Sequence, residues 1–211
     1  FLVSSLQAKK SKYSFSQFLK RFSIVKEEMH IDLDEFDLSY YTYGMSIYKN
    51  MPLIEPLETK EVKKIYEFVI VLDTSYSINE ELAKRFLSNT YTILSTSNMF
   101  YKSCKVHIIQ CDDRIRKDDI ISNQNEMDRL LNSFTLVGGG NTDFRPVFSY
   151  VNDLIDQKVF QNLCGLLYFT DGKGIYPKKS PAYKTAFIYL EDYDRSKVPS
   201  WAIQYRLEEK L

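Results

Sequence analysis

Residues 65–72, IYEFVIVL, are almost wholly apolar and β-branched, with no alternation of polar positions. Such a run predicts a strand covered on both faces, as in a parallel sheet. Residues 163–170 and 185–190 give similar apolar runs, and residues 105–110 a further strand. Between these runs the period changes. Leu82, Phe86, Ile93 and Leu94 form a helical stripe that ends near Thr96, and Ser77 with Glu80 makes a capping box at its start. Val147, Phe148, Val151, Leu154 and Ile155 form a second stripe, with Pro146 placed for the first turn. Strands alternating with helices predict an α/β fold of three layers: a mostly parallel, doubly wound central sheet with helices on both faces.

The remaining segments are less regular. Residues 111–132 are polar, with an edge strand expected at 115–121 and a short helix at 127–131. Near the start, Ser14 and Gln17 make a capping box, and Phe15, Phe18, Leu19 and Phe22 share one helical face. An acidic, tyrosine-rich stretch follows. Its alternation around Tyr41, Tyr43 and Ile47 predicts a strand or extended arm. Pro52 and Pro56 forbid a regular helix in the next stretch. A boundary near Lys60 divides the chain into residues 1–60, an N-terminal helix and arm packing on the main domain, and residues 61–211, the α/β domain.

Composition narrows the function. Lys+Arg and Asp+Glu both number 28 in a chain of 211 residues, so no overall field favours nucleic acid or a membrane surface. No apolar run approaches the roughly 20 residues of a membrane-spanning helix. Cys104, Cys111 and Cys164 lie in or beside apolar runs without CxxC spacing, so they read as small buried residues of a reducing, cytoplasmic compartment. Cys104 and Cys111 are an odd number apart and would face opposite sides of one strand. The chain opens on Phe1 without a visible signal peptide, which suggests a piece of a longer protein.

Three loops carry the candidate chemistry. Asp73, Ser75 and Ser77 follow the first apolar run in DTSYS. Thr142 lies in VGGGNTDFRP, and Asp171 follows the run LLYFT. All three lie just past strand ends, where open α/β sheets bind ligands. Alternate positions of an extended turn point one way, so Asp73, Ser75 and Ser77 can share one side. A set made only of oxygens suits Mg²⁺, Mn²⁺ or Ca²⁺ rather than a thiolate-seeking metal. The hydroxyls are weak ligands, so Asp73 and Asp171 must supply the charge. An ion held this way keeps water or an open position, which a carboxylate from a protein partner can fill. The positive end of the helix after Ser77 also favours an incoming anion.

DTSYS, GGGNTD and FTDG in this order resemble a von Willebrand factor A (VWA) domain, a Rossmann-like fold. The five matching positions are those of its metal-ion-dependent adhesion site (MIDAS): Asp73, Ser75, Ser77, Thr142 and Asp171. GGGNTDFRPVF and YFTDGKGIYP are similar to the GGGTDFxPVF and YFTDGxGxxP of a bacterial VWA-like family named for metallopeptidases. YYTYGMSIYKNMPLIEPLE also resembles that family. The resemblance spans roughly residues 35–201. It implies a cation-dependent protein-binding module of a larger bacterial protein, and a MoxR-type AAA+ ATPase as partner. Two positions depart from the pattern. Tyr76 stands where the family has glycine and crowds the metal loop. Asn141 is an extra residue that could move the ligand role to Asp143 or add a ligand.

Competing readings come from the same residues. Ser77 and Asp143 are good helix starters, and Gly138–Gly140 could form a bare turn. Nucleotide binding is disfavoured because no Lys-Ser/Thr follows the glycines. His107 reads as a core residue, Asp112 and Asp113 as the end of a strand, and Trp201 as an anchor for the last segment. The alternative function is a metal-dependent hydrolase, or the regulatory half of a metallopeptidase. The HExxH segment of such enzymes is absent from this stretch, whose histidines are His30 and His107.

Overall fold

The computed structural model describes residues 15–76, 78–96, 100–190 and 192–207. The chain falls into two compact units: one of residues 1–23 and 65–211, the other of residues 24–64. The capping residues Ser14 and Ser77 lie outside the described residues.

The larger unit is built on a sheet of order β4-β3-β2-β5-β6-β7. The strands are β2 (Pro56–Asp73, entering this unit at Ile65), β3 (Phe100–Cys111), β4 (Ile115–Ile121), β5 (Leu163–Thr170), β6 (Thr185–Tyr189) and β7 (Ile203–Arg206). All neighbours are parallel except β4, which runs antiparallel to β3. Residues 68–73 of β2 are entirely buried, as their unbroken apolar pattern predicts. The chain moves from β2 outward to β3, then returns to the other side of β2 with β5. That reversal is the topological switch point of the sheet, and the crevice beyond it is where such folds take ligands.

Alternate residues of the central strands serve opposite faces. Val69, Val71, Leu166 and Tyr168 pack with Val147, Phe148 and Val151 of helix α5 (Arg145–Asp156). On the other face, Phe169 stacks at 4.1 Å on Phe86 of helix α3 (Glu80–Thr96), and Phe68 meets Phe22 edge-on at 5.5 Å. Phe22 closes a 3₁₀ turn (Lys20–Phe22) that follows the helical residues 15–19, here α1. Helices thus cover both faces of a mostly parallel sheet, giving the expected three layers. Cys111 belongs to the α5 side, whereas Cys104 lines a cavity with Tyr91 of α3, so their odd spacing does place them on opposite faces. All three cysteines are buried and free. Trp201 packs edge-on against Phe148 at 5.9 Å, anchoring the end of the chain.

Local chemistry explains the helix starts. Asn79 accepts the Glu81 N–H at 2.9 Å and so caps α3. In α4 (Gln124–Asn132), Asn123 accepts the Glu126 N–H at 3.0 Å while Glu126 reaches back to the Ser122 N–H at 2.7 Å.

The smaller unit pairs β1 (Ile24–Phe36) antiparallel with β2 over Ile24↔Lys64 to Phe36↔Pro56, and it carries helix α2 (Leu38–Tyr48). This helix corrects the expectation of a strand or extended arm around Tyr41, Tyr43 and Ile47. Asp37 caps it by accepting the Ser39 N–H at 2.7 Å. Gly44 lets the backbone of Pro52 and Leu53 pass close by, where a Cβ would collide.

Candidate functional site

The first loop leaves β2 at Asp73, whose side chain is fully buried. Its Oδ1 accepts the Ser75 N–H at 2.9 Å, and its Oδ2 accepts the Thr170 hydroxyl at 2.6 Å. Both donors are neutral. Burial, and to a lesser degree the negative charge of Asp171, push the Asp73 carboxyl above its ordinary range despite these bonds. Ser75 is buried beside it, and Tyr76 projects into solvent with 91% of its surface exposed.

The second loop, the glycine stretch, is latched to the first and to the end of β3. Gly139 N–H donates to the Thr74 carbonyl at 2.8 Å, and a side chain at Gly138 would collide with the Thr74 hydroxyl. Gly139 has φ +109°, a conformation that favours glycine. Buried Gln110 clamps the stem of the loop. Its Nε2 donates to the Thr135 carbonyl at 3.1 Å, and its Oε1 accepts the Val137 N–H at 2.7 Å. Asp112, also buried, accepts the Gly140 N–H at 3.2 Å and the Arg116 guanidinium at 2.7 Å. Burial alone would raise the Asp112 carboxyl. The hydrogen bonds from Arg116 and neighbouring N–H groups outweigh it and hold the carboxyl well below its usual range.

The third loop follows β5. Asp171, nearly buried, accepts the Lys173 N–H at 2.9 Å, with Lys173 Nζ at 3.5 Å from its Oδ2. Asp143 pairs its backbone with Ile175, and Phe144 N–H donates to the Ile175 carbonyl at 3.1 Å. The methyl of Thr142 lies against Gly174, where a Cβ would stand 2.7 Å away. The structure therefore brings together the loops of Asp73, Ser75, Thr142 and Asp171 at the sheet's switch point.

Asp143, the alternative ligand raised by Asn141, is otherwise engaged. Its Oδ2 meets the Arg145 guanidinium at 2.6 Å, and its Oδ1 accepts the Arg145 N–H at 2.9 Å at the mouth of α5. Arg145 holds the Asp143 carboxyl below its usual range. Among the described residues there is no cluster of three or more His, Cys, Asp or Glu side chains that could hold a metal ion.

Sequence reasoning overlooked three supporting residues. Thr170 ends an apolar run, and only the three-dimensional fold shows its hydroxyl meeting Asp73. Gln110 lies in a buried strand, and a glutamine there signals an obligatory polar partner. Asp112, two residues on, reads in sequence only as the end of a strand, whereas it also accepts the Gly140 N–H and so brackets the glycine loop. His107 fits its core reading: it is buried, with Nδ1 at 3.0 Å from Asp118.

The model of the VWA-like domain (DUF2201) matches residues 68–208. The chain belongs to this VWA-like family. The matched region begins inside β2 and holds all three loops. No curated protein matches the chain. Among solved structures, it is similar to a von Willebrand factor type A protein from Catenulispora acidiphila at 10% identity, covering 71% of this chain and 40% of that one, TM-score 0.48. It is also similar to proximal thread matrix protein 1 of the mussel byssus with a zinc-occupied MIDAS motif, at 11% identity, 68% and 44% coverage, TM-score 0.47. A third is the ArnB paralog VWA2 from Sulfolobus acidocaldarius, at 13% identity, 90% and 52% coverage, TM-score 0.41. The match spans less than half the length of the first two. No helix among the described residues of this VWA-like chain is long and apolar enough to cross a membrane.

Proposed function

We propose that this VWA-like chain is a divalent-cation-dependent protein-binding module. Asp73, Ser75, Ser77, Thr142 and Asp171 would hold the ion, and a carboxylate of a protein partner would complete its shell. The supporting observation is the state of Asp73: a fully buried carboxylate whose donors among the described residues are neutral and which stands near a second carboxylate. Burying such charge is costly unless a cation compensates it. A hard, oxygen-seeking ion such as Mg²⁺, Mn²⁺ or Ca²⁺ fits a set of hydroxyls and two carboxylates. The two aspartates would neutralise the ion, directly or through water, and the hydroxyls would coordinate it directly. A MoxR-type AAA+ ATPase is the partner that the family resemblance suggests.

The test is calorimetric titration with Mg²⁺ and Mn²⁺, paired with thermal unfolding. Ion at about 100 times its Kd should stabilise the native chain by about 2.7 kcal/mol. Asp73→Ala should abolish both the heat and the thermal shift while leaving the fold intact. If the wild-type chain shows neither at millimolar ion, the proposal is wrong.

A further inference from the structure

The rim of the three loops is unexpectedly apolar. Of the five exposed large hydrophobic residues among those described in the larger unit, three stand in these loops: Tyr76 at 91% exposure, Ile175 at 54% and Val137 at 43%. Their exposure is fixed by the backbone. Val137 is tied to Gln110, and Ile175 is paired with Asp143. The Tyr76 ring leans over the glycine loop, with its atoms 3.5–3.8 Å from where a Gly139 Cβ would lie. A large aromatic group thus stands exposed beside the glycine loop, on a turn with no need of it for packing.

The charges around the rim are equally informative. The three loops, residues 73–79, 133–144 and 171–184, carry three carboxylates (Asp73, Asp143 and Asp171) and four ammonium groups (Lys173, Lys178, Lys179 and Lys184). A divalent ion would raise that excess of one positive charge to three. It would also compete for Asp171 with Lys173, whose side chain is 73% exposed at the edge. The loaded rim therefore combines a net positive field with an apolar wall.

We infer that Tyr76, together with Val137 and Ile175 of the other two loops, selects partners whose metal-binding Asp or Glu is flanked by a large apolar residue. The inference rests on the proposed metal site and names the partner chemistry that site would accept. The carboxylate would meet the ion while the neighbouring side chain packs on Tyr76. Glycine at position 76 would leave the carboxylate contact and remove the wall.

The experiment titrates dye-labelled peptides into the chain with Mg²⁺ and reads fluorescence anisotropy. One peptide has Asp between glycines; two others have Phe immediately before or after the Asp. At least one Phe-flanked peptide should bind the wild type about ten-fold tighter than the glycine-flanked one, as burial of one aromatic side chain allows. Tyr76→Gly should erase that preference and Tyr76→Phe should retain it. Equal binding of all three peptides to the wild type, no measurable binding of any, or a preference that survives Tyr76→Gly overturns the inference. The metal reading is scored separately. Chelation with EDTA should release every peptide, and Asp73→Asn should do the same. Peptide binding that persists under both would overturn the metal site, whatever Tyr76 does.

Discussion

The two compact units treat their apolar side chains in opposite ways. In the larger unit, β2, β5 and β6 bury nearly every side chain between helical layers. In residues 24–64 only Gly44 is buried among the described residues. Thirteen of the eighteen exposed large hydrophobics among the described residues lie there, including Met29 at 89% and Ile54 at 74%. Both units contain strands and a helix, so secondary structure alone does not determine burial. What differs is layering. A sheet with helices on both faces encloses its residues, whereas an antiparallel pair of strands with one helix encloses almost none and is marginal on its own.

This contrast can be tested by mutation. The largest effect is expected for Phe86→Ala in the larger unit, which removes a buried ring stacked on Phe169. Urea unfolding should show a loss of about 3–5 kcal/mol. A loss below about 1 kcal/mol would mean that this core is far looser than its burial implies. Thr170→Val comes next, since it deprives the buried Asp73 carboxylate of a hydroxyl donor. The same measurement in EDTA should give about 1.5–3 kcal/mol.

Arg116→Met should act through pH. The Asp112 carboxyl sits below its unfolded value of about 3.9, so its pairing stabilises the fold fully above that value. The stabilisation is lost only as pH falls through the lower folded value. Without Arg116, stability should drop near neutral pH and acid unfolding should begin at a higher pH. An unchanged acid limb in circular dichroism would show that the pair is energetically idle. The smallest effect is expected in the other unit. Leu38→Ser, at a side chain 69% exposed, should change the unfolding free energy by no more than about 0.5 kcal/mol. A loss as large as that of Phe86→Ala would erase the contrast between the units.

Much of the larger unit could be read from the sequence. Residues 65–72 and 163–170 lack alternation because they are covered on both faces, and the stripe from Val147 onward faces the core. Their ends gave the loops of Asp73 and Asp171 directly. The smaller unit resisted because its signals compete. Tyr41 and Tyr43 mimic a period of two, but Asp37 caps a helix whose aromatic residues point outward, so no buried stripe marks it. The pairing of β1 with residues 56–64 was hidden by charges at positions that no core requires to be apolar. In the site, the roles of Thr170 and Gln110 depend on partners 97 and 27 positions away. Such pairings leave no local trace in sequence.

The bond between Asp73 and Thr170 also has a consequence for biosynthesis. On the ribosome the acid emerges 97 residues before the hydroxyl that it will meet. At about 5–20 residues per second, that interval lasts roughly 5–20 seconds. Through that interval the nascent polypeptide has Asp73 but neither Thr170 nor Asp171, so an unfinished chain cannot assemble the cradle. Translation must pass beyond Ile175 before the pieces can close, which makes the completed cradle a mark of a chain synthesised past β5.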